Sequence, residues 1–207
     1  SFVPLSSEYL MIYINYKGGL NVSSGRCKNF YSSGVVGLYE RFFMPVVEPV
    51  PCENLIGEIC VVLTFSGLYR FTSLCGNEIV NNIIRAEIIF GNKLCVLQEE
   101  LNYASGDIMR KNILDSYFMN FLKRKPLKNE SRLILLEEVL NESQGRVALS
   151  NLAGQMNVSY RSLERLFERD LGVNASIYLK IYRINKALRM MALNMDMDIY
   201  SIIINCG

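Results

Sequence analysis

One short segment, Leu149 to Leu171, restricts the fold more than any other part of the chain. Its sequence, LSNLAGQMNVSYRSLERLFERDL, has the residue types that two short helices joined by a tight turn require. Ala153 is small enough for a helix crossing, Asn157 suits a left-handed turn, and Ser159 can cap a second helix. The positions expected to face a shared core are apolar: Leu152, Met156, Val158, Leu163 and Leu166. The spacing predicts a helix-turn-helix.

The second helix of this segment, predicted from Ser159 to Asp170, divides into two faces. Its buried face has helical spacing and consists of Leu163, Leu166, Phe167 and Leu171. The outer face has an arginine at every fourth position, with Glu164 nearby: Arg161, Arg165 and Arg169. Such arginines can bind a guanine edge or a phosphate. The alternative is a solvated helix whose arginines pair with Glu164 and Glu168, but a helix-turn-helix framework favours DNA contact.

Charge and composition agree with a DNA-binding module and argue against an enzyme. The net charge of +2 combines −1 over residues 1–145 with +3 over residues 146–207. The chain has no histidine, which excludes Ser-His-Asp and Cys-His catalysis and histidine metal sites. It also lacks a P-loop and a G-x-G-x-x-G motif. We therefore expect no enzyme activity, no cofactor and no metal. A small-molecule-binding protein, or an enzyme that uses only carboxylates, remains the alternative.

The cysteines and the hydropathy pattern predict a soluble cytoplasmic protein without a membrane partner. The six cysteines are scattered and form no C-x-x-C pair: Cys27, Cys52, Cys60, Cys75, Cys95 and Cys206. We expect reduced thiols packed as small hydrophobic side chains. No stretch reaches the roughly 20 apolar residues of a membrane-spanning helix.

The first 65 residues are predicted to be β-rich. Residues 7–16 alternate, with Leu10, Ile12, Ile14 and Tyr16 on one side of a strand. Residues 18–25 (GGLNVSSG) predict a turn. Residues 34–51 form a second strand-like region, broken at Pro45 and ended by Pro49 and Pro51. Residues 57–65 (GEICVVLTF) predict a strand buried on both faces.

Residues 66–125 are predicted to be helical, which makes the fold class α+β. Residues 68–74 are expected to form one short helix or a pair of turns. Helices are expected over 93–104 and 106–125, and the second has an apolar stripe of Ile108, Ile113, Leu114, Phe118 and Phe121. Residues 123–131 (KRKPLKNES) are charged and suit a linker, and a helix follows over 131–143. We therefore divide the chain into an N-terminal domain, 1–125, and an all-α domain, 126–207.

The C-terminal third resembles the AraC/XylS family of transcription regulators. The similarity is carried by Ser159, Leu163, Arg165 and Phe167, then by G-x-N-A-S-x-Y-L-K-x-x-R-I from Gly172 to Ile184, and by Ala187. The resemblance implies two helix-turn-helix units joined by a long helix from Ser176 to about Leu193. Tyr178, Leu179 and Arg183 in that helix also match the family pattern.

The resemblance also predicts the start of a second unit. Ile199, Ile202 and Gly207 match its pattern, whereas Ile203 stands where the family has alanine. Its recognition helix would follow Gly207, so we expect residues 1–207 alone to bind an operator weakly or not at all at physiological salt. In the family, two recognition helices enter successive major grooves about 34 Å apart.

The family pattern assigns the base-reading positions to Arg161, Glu164 and Arg165. The full set of expected DNA-binding residues is Ser159, Tyr160, Arg161, Ser162, Glu164, Arg165 and Arg169. The partners that the resemblance implies are double-stranded DNA, RNA polymerase, a small-molecule effector and a second copy of the chain. Activation is the family's commoner role.

Residues 1–125 more distantly resemble an N-terminal domain of some AraC-type regulators, through VVLTFSGLYRFTSL (61–74). That domain is β-rich and then helical, differs from the cupin barrel of sugar-sensing members, and implies sensing or dimerisation. Aromatic residues that can line an apolar ligand pocket are Tyr13, Tyr16, Tyr39, Phe42, Phe43, Tyr69 and Phe71. Tyr13, Tyr39, Phe43 and Tyr69 are the ligand-binding candidates, and ordinary core packing is the alternative.

Overall fold

The computed structural model describes residues 10–24, 27–37, 46–53, 55–122, 129–193 and 198–206, and its fold is α+β as predicted. The strands are β1 (Leu10–Lys17), β2 (Gly19–Ser24), β3 (Cys27–Tyr31), β4 (Ser33–Val36), β5 (Val46–Val50), β6 (Gly57–Leu63) and β7 (Ile83–Arg85). They form two antiparallel sheets, one in the order β6-β1-β4-β7 and one in the order β3-β2-β5.

The predicted alternation of β1 is confirmed. Leu10, Ile12 and Ile14 are buried in the main core, and Tyr16 packs against it. The opposite face is also covered, because Met11 and Tyr13 belong to a second buried cluster with residues from β2 and β4. An interior strand with apolar side chains on both faces joins the two clusters.

Two expectations about turns and strand ends are wrong. Residues 18–25 contribute β2 instead of a turn, because β2 pairs on both sides and Leu20 lies opposite both Tyr31 and Pro49. This pairing overrides the weak strand propensity of glycine, serine and asparagine. Pro49 lies inside β5 and does not end it. β5 is an edge strand, and proline is tolerated on an edge strand because its outer side has no neighbouring strand that needs an N–H donor.

The expectation that residues 57–65 are buried on both faces is also wrong. Gly57 and Leu63 are buried, but Glu58, Cys60 and Val62 are exposed. Ile59, Val61 and Leu63 on one face of β6 pack on the main core, whereas the opposite face is open to solvent. The thiol of Cys60 is partly buried beside Glu58, and burial and then that carboxylate raise its pKa to about 11.

Each predicted helix is present, and two short helices, Gly76–Ile79 and Ala86–Phe90, are additional to those predicted. The described helices are α1 (Phe65–Thr72), α2 (Gly76–Ile79), α3 (Ala86–Phe90), α4 (Asn92–Tyr103), α5 (Asp107–Leu122), α6 (Glu130–Ser143), α7 (Leu149–Gln155), α8 (Tyr160–Leu166), α9 (Ala175–Leu193) and α10 (Ile199–Cys206). A π-helical turn, Phe167–Leu171, follows α8. β7 interrupts the region expected to be entirely helical, and it forms because its short strand pairs with β4.

The apolar stripe of α5 is confirmed in part. Phe121 is buried, and Ile113, Leu114 and Phe118 pack against the core. Ile108 is 81% exposed, so the prediction that it belongs to the stripe is wrong. Its five-residue separation from Ile113 turns it away from the side that the other positions share.

One continuous cluster of buried side chains joins the β-rich portion to the C-terminal helices, from Leu10 to Leu179. At the junction, Glu137 of α6 accepts hydrogen bonds from the backbone N–H (2.9 Å) and the hydroxyl (2.6 Å) of Ser66 in α1. Arg70 of α1 pairs with Glu130 of α6 at 3.1 Å. Most of the predicted linker, including the expected boundary after residue 125, lies outside the described residues.

The cysteines lie mostly on the surface of the described chain. Cys52, Cys60, Cys75, Cys95 and Cys206 are free. Packing as small hydrophobic side chains is wrong for Cys52, Cys60 and Cys95, which are exposed, and the side chain of Cys27 lies outside the description. Separately, none of the described helices combines the length and apolarity needed to cross a bilayer.

Candidate nucleic-acid interface

The tight turn predicted between α7 and α8 is confirmed. Asn157 has φ +51°, in the left-handed region, and its N–H donates to the Gly154 carbonyl at 3.0 Å. The N–H of Val158 donates to the Ala153 carbonyl at 3.0 Å, and Ala153 is buried as the crossing requires. These bonds satisfy carbonyls at the end of α7 and determine where α8 begins.

Ser159 caps α8 as predicted. It has extended backbone angles (φ −68°, ψ 154°), and its Oγ accepts from the N–H of Ser162 at 3.2 Å. The two hydroxyl oxygens also lie 2.8 Å apart, within hydrogen-bond distance. The cap satisfies one of the N–H groups that the first turn of a helix leaves without a partner.

We expect Ser159→Ala to lower the free energy of unfolding by about 1 kcal/mol, because the cap is lost and the Ser162 N–H must find water. Urea denaturation measures the change. Ser150→Ala is the matched control, because Ser150 lies exposed in α7 and caps no described helix. Equal changes in unfolding free energy for the two substitutions would show that the Ser159 cap does not stabilise the chain.

The face of α8 that points into the protein is apolar, as predicted. Leu163 and Phe167 are 0% exposed, and Leu166 and Leu171 are also buried. The predicted helix is regular only to Leu166, and its remainder is the π-helical turn, which Gly172 ends with φ +80°. The buried face therefore fixes the rotation of α8 about its axis.

The outer face of α8 presents charged side chains to solvent. Arg161, Glu164 and Arg165 are exposed, as is Tyr160. Within the described part of the chain, neither Arg161 nor Arg165 forms an ion pair, so the pairing with Glu164 and Glu168 that a solvated helix would show is not formed. The π-helical turn that follows α8, by contrast, contacts α2 of the N-terminal portion.

Arg169 differs from the other two arginines because it binds a neighbouring carboxylate. Its Nε and Nη2 donate to the two oxygens of Asp170 at 2.7 and 2.8 Å. Asp170 is 4% exposed, and this hydrogen bonding raises the pKa of Arg169. Burial and then the Asp170 charge raise the pKa of Cys75, and burial, Cys75 and Asp170 raise the pKa of Tyr69. Asp170 thus lies where the end of α8 meets the N-terminal portion.

Helices occupy the positions predicted for the connecting helix and for the start of a second unit. α9 begins one residue before the expected Ser176 and ends at Leu193, and α10 follows from Ile199. Ile202 is buried, whereas Ile203, the departure from the family pattern, is 59% exposed. Gly207 lies outside the described residues.

The aromatic ligand candidates do not come together. Tyr13 is buried in the second cluster, where its hydroxyl donates to the sulfur of Met11 at 3.8 Å. Tyr69 packs against the main core, while Tyr39 and Phe43 lie outside the described residues, as does Phe42. A groove of about 1210 Å³ lies elsewhere, between α4 and α5, lined by Val96, Tyr103, Met109, Ile113, Tyr117 and Phe121 among others.

Two residues of the α8 region escaped the sequence analysis. Asp170 is the first of them. A carboxylate next to a buried leucine needs a partner, and the adjacent Arg169 in the sequence is the signal that could have identified this pair. Arg132 of α6 shares a small cavity with Ser162 and Arg165 of α8. No local pattern marks Arg132, because only the packing of the two helices brings it there.

The α+β architecture is shared with solved structures of ToxT from Vibrio cholerae. An apo single-residue variant of ToxT is 13% identical, with a TM-score of 0.50, over 100% of this chain and 82% of ToxT. The unsaturated fatty acid-bound wild type is 13% identical, with a TM-score of 0.51, over 100% of this chain and 80% of ToxT. At this identity the similarity concerns the fold. No model of a known protein family and no curated protein matches the sequence.

Proposed function

We propose that this chain is a sequence-specific DNA-binding transcription regulator of the AraC/XylS type. The observation that carries the proposal is the outer face of α8, where Arg161 and Arg165 stand exposed and without an ion pair in the described chain. The opposite face is fully buried, so the helix cannot turn these side chains inward. A rigid helix that projects guanidinium groups suits the major groove, which is wide enough to admit one helix.

Each exposed side chain of α8 has a chemical role in this proposal. Arg161 and Arg165 can each donate two hydrogen bonds to O6 and N7 of a guanine, and Glu164 can accept from N4 of a cytosine. Ser159, Tyr160 and Ser162 lie at the start of the helix, where their hydroxyl groups can donate to phosphate oxygens. Because its guanidinium is held by Asp170, Arg169 is assigned a phosphate rather than a base.

The proposal includes a small-molecule effector that acts through the N-terminal portion. Two features support it: the ToxT fold has been solved with an unsaturated fatty acid bound, and α2 contacts the π-helical turn after α8 in this chain. An effector would regulate DNA binding only if its affinity differed between two arrangements of these elements. Dimerisation and contact with RNA polymerase are proposed from the family resemblance alone.

We expect Arg165→Ala to weaken binding to a preferred duplex by about 1–3 kcal/mol, roughly 5- to 150-fold, and to relax sequence preference at one base pair. A duplex selected from a random-sequence library serves as the probe, and fluorescence anisotropy at 50–200 mM salt measures affinity. Lys111→Ala is the matched control, since Lys111 is an exposed cation on α5 that pairs with Asp115.

Two results would contradict the proposal. One is the absence of DNA binding by the unsubstituted chain even at low salt, which would favour a small-molecule-binding protein without a DNA role. The other is an equal loss for Arg165→Ala and Lys111→Ala, which would mean that only net charge matters.

A further inference from the structure

A small basic cavity lies between α6 and α8, beside the proposed groove-reading face. It has a volume of about 200 Å³ and is lined by Arg132, Ser162, Arg165, Leu166 and Arg169. Three arginines and one serine are thus the polar residues that line it. A cavity of this size has room for several waters, and therefore for a tetrahedral oxyanion.

The charges around this cavity favour an anion. Arg132 and Arg165 form no ion pair in the described chain, and Asp170 neutralises only Arg169. Asp170 binds Nε and Nη2 of Arg169, which holds the guanidinium plane and leaves Nη1 available. Clustered guanidinium groups repel one another, and a bound phosphate relieves this repulsion through charge-assisted hydrogen bonds.

The cavity occupies a defined side of α8. Residues 162, 165, 166 and 169 are three or four apart and so lie on one side of the helix and its continuation. Arg161 and Glu164 lie on the adjacent, groove-facing side, and Arg165 borders both. An anion in the cavity would therefore lie next to a base pair read by α8, which is where the backbone of a duplex runs.

We propose that this cavity binds one backbone phosphate of duplex DNA and that Arg132, from outside the helix-turn-helix, is the residue that completes it. The inference rests on the proposed DNA-binding function and adds a fixed point of contact to it. Phosphate contacts carry no sequence information, but they set the position and rotation of the protein on the duplex. Arg132 thus positions α8, while Arg161 and Arg165 read bases.

The test compares Arg132→Ala, Arg132→Lys and Lys111→Ala on two probes, the selected duplex and an unrelated duplex of equal length. We expect Arg132→Ala to weaken binding to both duplexes by a similar factor, about eightfold at 0.1 M salt. The slope of log affinity against log salt should become shallower by about 0.9, the value for one phosphate contact. Arg132→Lys should restore most of the slope, because it keeps the charge, and Lys111→Ala should leave it unchanged.

The outcomes separate this inference from the proposed function. An unchanged salt slope in Arg132→Ala, with Arg165→Ala still impaired, overturns the phosphate site and leaves the DNA-binding function intact. No DNA binding by the unsubstituted chain overturns both. A titration with inorganic phosphate in the absence of DNA tests the other source of the same chemistry. Tight binding of free phosphate that depends on Arg132, together with an unchanged DNA slope, would assign the cavity to a free anion and overturn the proposal.

Discussion

Phe167→Ala is expected to lower the free energy of unfolding by about 3–5 kcal/mol and to abolish binding to duplex DNA. Phe167 is 0% exposed and lies where α8 passes into the π-helical turn. Its ring contacts Tyr178 of α9 at a centroid distance of 5.5 Å, and Tyr178 contacts Phe65 of α1 edge-on at 5.6 Å. The three rings connect α8 to both the connecting helix and the N-terminal portion.

The size of this effect follows from what alanine would leave behind. The ring is completely buried and packs against a side chain of another helix, so its neighbours can close the space only partly, and a cavity remains. A domain has about 5–15 kcal/mol of stability in total, so the loss is a large part of it. With its buried face disrupted, α8 would no longer hold Arg161 and Arg165 outward.

Urea denaturation and DNA-binding anisotropy measure the two parts of this prediction. Tyr103→Ala is the matched aromatic control, since Tyr103 is 84% exposed, and its effect should stay within about 0.5 kcal/mol. If Phe167→Ala retained DNA affinity while unfolding more easily, the orientation of α8 would not depend on its buried face. The central structural argument for the DNA interface would then fail.

The helix-turn-helix was predictable because its requirements are local. Asn157 had to be left-handed and Ser159 had to cap, and each requirement involves neighbours within five positions. The apolar face of α8 follows from the same short-range period. A single sequence contains all of this information, and the structure agrees with it as far as Leu166, where the regular helix passes into the π-helical turn.

The parts that could not be predicted depend on partners distant in the chain. β2 is a strand because β3 and β5 flank it, and Pro49 is tolerated because β5 is at an edge. Neither fact is visible in the segment itself, where glycine, serine and proline favour a turn or a break. Arg132 follows the same rule, since only helix packing places it beside Arg165.

Gly76→Ala is expected to destabilise the chain by about 3 kcal/mol, at the upper end of the usual cost of overpacking. Gly76 begins α2 and is buried against the backbone of the π-helical turn. A Cβ on Gly76 would lie 2.5 Å from the Cα of Leu171, closer than real Cβ contacts come. Gly172 faces the same contact from the other side, since its own Cβ would lie 2.6 Å from the Gly76 carbonyl carbon.

The expected loss of stability in Gly76→Ala is large because the added Cβ would clash with backbone atoms of Leu171. A clash with a flexible side chain is relieved by a rotation, but here α2 or the end of α8 has to move as a whole. Gly154→Ala is the matched control, since a Cβ there meets nothing within 4 Å and the residue lies inside α7. That substitution should stabilise the chain by about 0.5–1 kcal/mol, because alanine is the better helix residue.

Urea denaturation distinguishes the two glycines by the sign of their effects, and hydrogen exchange locates the change. In Gly76→Ala, protection should fall at the amides of residues 167–171 and in α2, whereas β1 should keep its protection until global unfolding. An alanine at position 76 that left both stability and exchange unchanged would mean that the N-terminal portion does not hold the end of α8. The proposed route from an effector to the DNA-binding helix would then lack its physical connection, while the outer face of α8 would be unaffected.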